Sequence, residues 1–103
     1  MVEIIKINNF DDAVESKTMS IKVCSSVEKA EETILSEIND DFDGNWNSLK
    51  DASDELSEDI SSCVWDEKNH AFCWEDNGKG CIFIICEIDT NKIDGEYQSL
   101  IAF

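Results

Sequence analysis

Residues 63–89 read CVWDEKNHAFCWEDNGKGCIFIICEID, and they set the fold class. Three short runs rich in β-branched and aromatic residues, Cys63–Asp66, Ala71–Trp74 and Cys81–Asp89, are strand candidates. Two polar breaks part them. The first is Asp66–His70. The second is Asp76–Gly80, whose Asn77-Gly78 pair tolerates the positive φ that a tight hairpin turn requires. Strands joined by hairpins pair antiparallel. Cys81–Ile88 is apolar on both faces for several residues, as a central strand is.

Further toward the N-terminus the pattern changes period. Val2–Asn8 alternates and is β-branched, which predicts a strand; Asn9–Thr18 is polar and predicts a loop; Met19–Cys24 predicts a second short strand. Ser25 with Glu28 three residues on has the form of a capping box. After it, Val27, Ala30, Ile34, Leu35 and Ile38 recur at helical spacing. Asn39–Gly44 breaks that helix. A second is expected from about Asn45 to Ile60, with Trp46, Leu49, Ser53, Leu56 and Ile60 on one stripe. Beyond residue 88, Asp89–Gly95 is rich in turn formers, and Glu96–Phe103 suits an edge strand or a short terminal helix. The expectation is a single α+β domain over residues 1–103. Two helices from the first half of the chain pack on a mainly antiparallel sheet of four or five strands.

Charge is concentrated on the helical part. Residues 28–59 carry twelve Asp and Glu against two Lys, within a chain of net charge −16. On the second helix, Asn47, Asp51, Asp54, Glu55 and Glu58 fall opposite the apolar stripe, and none of the four acids has a Lys at i+4. Any surface helix has a polar outer face; a face of one sign is less usual, because like charges held together repel. A strongly positive partner surface relieves that repulsion. Direct nucleic-acid binding and anionic membranes are disfavoured by the same charge.

The remaining composition bounds the chemistry. Proline is absent and all eight basic residues are Lys. Apolar residues make up 42 %, enough for a core and too many for a disordered acidic chain. No apolar run is long enough for a membrane-spanning helix. The five cysteines, Cys24, Cys63, Cys73, Cys81 and Cys86, form no C-x-x-C knuckle. With no leader-like segment at MVEIIKINN, they read as buried reduced thiols of a cytoplasmic protein, with no metal or other cofactor. Catalysis is not expected. The single histidine, His70, stands in a turn, and there is no phosphate-binding Gly loop or nucleophile elbow. One cation reading deserves a structural check. Asn39, Asp41, Asp43, Gly44, Asn45, Trp46 and Asn47 match positions 1, 3, 5, 6, 7, 8 and 9 of an EF-hand loop, but Lys50 stands where the bidentate Glu belongs. A second set, Asp89, Asn91, Asp94 and Gly95, is out of register by one residue.

The same stretch, Phe42-Asp43-Gly44-Asn45-Trp46-Asn47-Ser48-Leu49-Lys50-Asp51, resembles the signature that opens the second helix of the barstar family of ribonuclease inhibitors. Asn45 matches the family Asn, Trp46 the apolar position, Leu49 the Leu and Asp51 the second acid. Asn47 stands where the first Asp is usual, and Asp43 occupies the glycine position, with Gly44 one residue on. Beyond Ile60 the chain departs from the family, which continues with more helix and a parallel sheet. The resemblance implies a loop and helix that plug the basic active site of a secreted ribonuclease.

Composition, spacing and resemblance together point to an acidic immunity or inhibitor protein. It would occlude the active site of a basic bacterial toxin, a nuclease being the first candidate. The expected contact residues are Asp43, Asn45, Trp46, Asn47, Asp51, Asp54, Glu55 and Glu58. Trp65 is a second possible aromatic anchor. The alternative is a phage-type DNA mimic that inhibits a restriction or CRISPR nuclease or another DNA-binding protein. A third class is an acidic enzyme subunit or a small-molecule binding domain.

Overall fold

The structure is a computed structural model and describes residues 1–10 and 18–88. In chain order the elements are β1 (Val2–Phe10), β2 (Thr18–Cys24), α1 (Val27–Phe42), α2 (Leu49–Asp59), β3 (Ser62–Asp66), β4 (Ala71–Asp76) and β5 (Lys79–Glu87). The strands form one antiparallel sheet in the order β2-β1-β5-β4-β3, and both helices pack against it, an α+β fold. β5 lies at its centre, as the apolar run at Cys81–Ile88 predicts. The expectations for residues 11–17, for Asp89–Gly95 and for Glu96–Phe103 lie outside the described residues, as does the second EF-hand-like set.

Register explains the core. Ile4 is opposite Ile85, Lys6 opposite Phe83, Phe83 opposite Phe72 and Cys63 opposite Trp74. Residues directly opposite share a face, so Val2, Ile4, Cys63, Phe72, Cys81, Phe83 and Ile85 form one apolar floor. Ala30, Ile34 and Ile38 of α1 and Leu49, Ala52 and Leu56 of α2 close over it. Phe72 and Phe83 are completely buried, and each stabilises the fold by about 1.5–3 kcal/mol through removal of its ring from water. α1 lies over β1, β2 and β5, while α2 packs on β3 and on α1. α2 is thereby carried toward the β3 edge of the sheet, away from β2.

Local chemistry sets the boundaries. Asn77 and Gly78 both have positive φ, and Asp76 pairs with Lys79 across them, so the Asn-Gly turn is the two-residue hairpin expected. At the start of α1 the cap is Ser26, whose hydroxyl accepts from the Lys29 N–H; the Ser25–Glu28 capping box does not form. Cys24 is still paired with Val2 in the sheet, so Ser25 is needed to turn the chain out of β2. α1 also runs past the expected break, to Phe42. It stops where Asp43 adopts the left-handed conformation, φ 53°. No helix among the described residues is long and apolar enough to cross a membrane.

Candidate partner-binding site

α2 begins four residues later than expected, and the reason is the construction of the site. Residues 45–48 are held as a loop by Asn39, from the last turns of α1. Its side-chain amide donates to the Trp46 carbonyl at 3.1 Å, and its side-chain oxygen accepts the Trp46 N–H at 2.9 Å. The Asn39 carbonyl also accepts the Gly44 N–H at 2.9 Å. Both polar groups of the Trp46 backbone are therefore satisfied without helix. Ser48 then caps α2, accepting the Asp51 N–H at 3.1 Å.

This arrangement rules out the EF-hand reading of residues 39–50. Asn39 and Asp41 lie within α1, and the Asn39 amide is engaged with Trp46, so the residues do not form a calcium loop. Among the described residues no group of three or more His, Cys, Asp or Glu is placed to hold a metal ion.

Trp46 stands as a ridge. Its indole packs so closely over Gly44 that a Cβ at that position would run into the ring, which is why a glycine is required there. Its Nε1–H donates to Glu55 Oε2 at 2.8 Å. On one side of the ridge is an open hollow of about 450 Å³, lined by Asn45, Trp46, Asn47, Asp51, Asp54, Glu55 and Glu58. On the other side is a hollow of about 440 Å³ that includes Asp43 and has Phe42, Leu56 and Ile60 in its lining. Seven of the eight residues selected from the sequence thus share one concavity, and Asp43 falls in the neighbouring one.

Two corrections concern the carboxylates. Asp54 is paired with Lys50 at 3.2 Å, because Lys50 lies one turn on the N-terminal side, where a search at i+4 does not look. Glu55 is engaged by the Trp46 indole. The carboxylates of Asp51 and Glu58 have no hydrogen bond or ion pair among the described residues, and both residues are exposed. Asp51 also lies in the first turn of α2, where the helix dipole favours a negative charge. Trp46 is placed ahead of α2 rather than on its apolar stripe, half-buried against the edge of the core. Trp65 lies on β3, also half-buried against the core and outside both hollows.

What sequence reasoning missed is Asn39. The sequence marked it as the start of a helix break and as position 1 of an EF-hand-like loop, neither of which hints at the loop it holds seven residues later.

Elsewhere the titratable groups serve the fold. Lys6 points into the helix–sheet interface, ion-paired with Glu37 and lying 5.5 Å from the centroid of the Phe83 ring. Burial lowers its pKa, but the hydrogen bond and charge of Glu37 more than offset this, so it is raised. Asp41 is pushed up by burial and by the neighbouring Glu37. No disulfide joins the cysteines among the described residues; desolvation pushes Cys63 up to about 11 and Cys81 up to about 12. His70 is half-buried with φ 53°, and its carbonyl accepts the Ile85 N–H at 3.0 Å.

Comparison with protein-family models, with curated proteins and with solved structures finds no match.

Proposed function

We propose that this chain is an acidic inhibitor or immunity protein that binds and occludes the active site of a basic toxin, with a nuclease as the first candidate. One observation carries the reading. A pre-ordered tryptophan ridge borders a hollow whose wall holds two carboxylates, Asp51 and Glu58, with no partner among the described residues. The barstar-like stretch around Asn45, Trp46, Leu49 and Asp51 supports the same role.

The mechanism is occlusion. Asp51 and Glu58 take the places of substrate phosphates against Lys and Arg of the partner, while Trp46 fills the centre of the contact. Because Asn39 and Gly44 already fix the loop, little ordering entropy is lost on binding. A close ion pair in a desolvated contact contributes on the order of 1.5–7 kcal/mol, whereas one at an exposed rim contributes less than about 1 kcal/mol. The net charge of −16 steers a basic partner and speeds association.

The test is capture of a basic protein at low salt, followed by inhibition of that protein's activity. Replacing Asp51 and Glu58 together by Ala should weaken binding at least about tenfold, or 1.4 kcal/mol. The free protein should be as stable as the parent or slightly more so, since self-repulsion falls. Parent affinity should decline as salt rises. Equal affinity of the double variant and the parent at low salt would show that the α2 face is not the site. A partner whose own site takes duplex DNA would favour the duplex-mimic alternative.

A further inference from the structure

The proposed inhibitor site leaves the opposite edge of the sheet unexplained. Among the described residues β2 is an edge strand, paired only with β1. Such an edge presents a row of backbone N–H and C=O groups to any chain that can approach. Proteins usually guard it with charge, proline or a bulge. β2 reads TMSIKVC, with one Lys and no proline, and its seven pairs with β1 run without a bulge.

Two properties make the edge unusual for this molecule. First, β2 is the one described element with no Asp or Glu, in a chain of net charge −16. Acids of α1 nevertheless stand beside it: Glu32, Glu37 and Asp40 line an open hollow with Lys22, and their repulsion between copies is what salt screens. Second, its side chains are sorted by face. Lys22 is opposite Ile4, on the helix side, while Met19, Ile21 and Val23 are opposite Ile7, Ile5 and Glu3, on the outer side. These three apolar residues are 58 %, 49 % and 55 % exposed.

We propose that β2 is a self-association edge, on which a second copy of this chain pairs antiparallel about Ile21. The register is self-complementary. With Ile21 opposite its own copy, Met19 falls opposite Val23 and Ser20 opposite Lys22. Every apolar side chain of the outer row then meets an apolar one, and on the helix side Ser20 meets Lys22 while Thr18 meets Cys24. A shift by one residue would set Ile21 against Ser20 or Lys22 and lose the match. A two-fold axis perpendicular to the sheet produces this pairing and makes the interface isologous. Among the described residues it joins the two sheets into one of ten strands, with α1 and α2 of both copies on the same side. α2 packs on β3, at the far edge, so both Trp46 hollows remain open and the dimer is bivalent.

A seven-residue edge is a small contact beside the roughly 1,200–2,000 Å² of a standard stable interface, so association is sought from micromolar protein upward. Its salt dependence is opposite to that of the inhibitor reading. Salt screens repulsion between two acidic copies and strengthens the dimer, whereas it weakens attachment to a basic partner. Failure of one reading is therefore distinguishable from failure of the other.

The experiment is sedimentation equilibrium of the full chain under reducing conditions, from micromolar to near-millimolar protein, at low and at high salt. The expected result is a monomer–dimer equilibrium that tightens with salt. Ile21→Lys places a charge at an already exposed position and should weaken it at least about tenfold, with an unchanged circular dichroism spectrum. Amide hydrogen exchange of the parent provides a second readout that needs no variant. The β2 amides should become protected as concentration rises, while those of α2 should not change. A parent that stays monomeric at high salt would overturn the proposal. So would a dimer indifferent to Ile21→Lys, or β2 protection independent of concentration, which would mean that the edge is covered by the chain itself.

Discussion

α1 and α2 are both acidic and both amphipathic, yet their carboxylates are put to different uses. In α1, Glu37 is drawn into the helix–sheet interface by Lys6, Glu32 is paired with Lys29 one turn away, and Asp41 is pushed toward its neutral form by burial beside Glu37. In α2, Asp51 and Glu58 face an open hollow, and Glu55 braces the tryptophan that divides that hollow from the next. The difference follows from position. α1 lies over β2, β1 and β5, where a lysine on β1 meets its acids; α2 lies at the β3 edge, with its outer face open to solvent. Acid count alone does not separate a charge that supports the fold from one available to a partner.

The largest expected effect tests the α1 side of this contrast. Lys6→Met keeps the apolar stem but removes the charge, leaving Glu37 half-buried and unpaired next to Asp41. Stability should fall by about 2 kcal/mol, as for a charged hydrogen bond lost in a partly buried place. Adding Glu37→Gln should recover more than half of that loss. Urea denaturation of the two variants checks both numbers. A double variant no more stable than Lys6→Met would mean that the lysine acts through packing rather than charge.

Next in size is the strut between the helices. Asn39→Ala removes two hydrogen bonds and leaves the Trp46 backbone to find water. A loss of about 1–2 kcal/mol is expected. Indole emission should shift to the red as Trp46 loosens, and partner affinity should fall although Asn39 is placed to brace the site rather than to touch the partner. Unchanged emission would show that Gly44 and Glu55 hold the ring by themselves.

The fold was legible because its signals are local. The strands after Ile60 alternate in short runs, and Asn77-Gly78 is a turn with one good solution, so the antiparallel hairpin follows from a dozen residues. The acidic face of α2 was legible from helical spacing, which is why most of the selected residues share a hollow. The Asn45–Ser48 loop was not. Trp46 fits the apolar stripe of a helix as well as it fits a loop, and only a tertiary hydrogen bond from Asn39 chooses between them. The Lys6–Glu37 pair was hidden for the same reason: it joins residues 31 positions apart, beyond the reach of any periodicity.

Alkaline pH probes the core beneath both helices. Cys63 and Cys81 are held as neutral thiols well above their ordinary pKa, so an unfolded chain ionises them first. Their contribution to stability is complete below about pH 9, the unfolded value, and is lost as pH rises toward about 11 and 12. Lys6, also raised, has the same sign. The denaturation midpoint should therefore decline steadily above pH 9, and Cys63→Ala should flatten the decline at the expense of some packing. A flat profile to pH 11 would mean that the unfolded thiols are perturbed as well.

The smallest expected effect tests the α2 side. Like Lys6–Glu37, Lys50–Asp54 pairs a lysine with an acid, but the two stand on adjacent turns of α2 and their side chains are 71 % and 65 % exposed. Water screens such a pair, and holding two long side chains in one geometry offsets part of the attraction. Lys50→Ala should therefore cost less than about 0.5 kcal/mol. Its second consequence has the opposite sign. Removing the lysine next to Asp51 leaves Asp54 uncompensated and makes the wall of the hollow more negative, so a basic partner should associate faster at low salt, an advantage that disappears near physiological ionic strength. Stopped-flow association at two salt concentrations, beside a thermal melt, measures both effects on one variant. A stability loss above about 1 kcal/mol would place Lys50 with Lys6 as part of the fold. Slower association at low salt would mean that α2 does not meet its partner through its acids, and the contrast between the two helices would collapse.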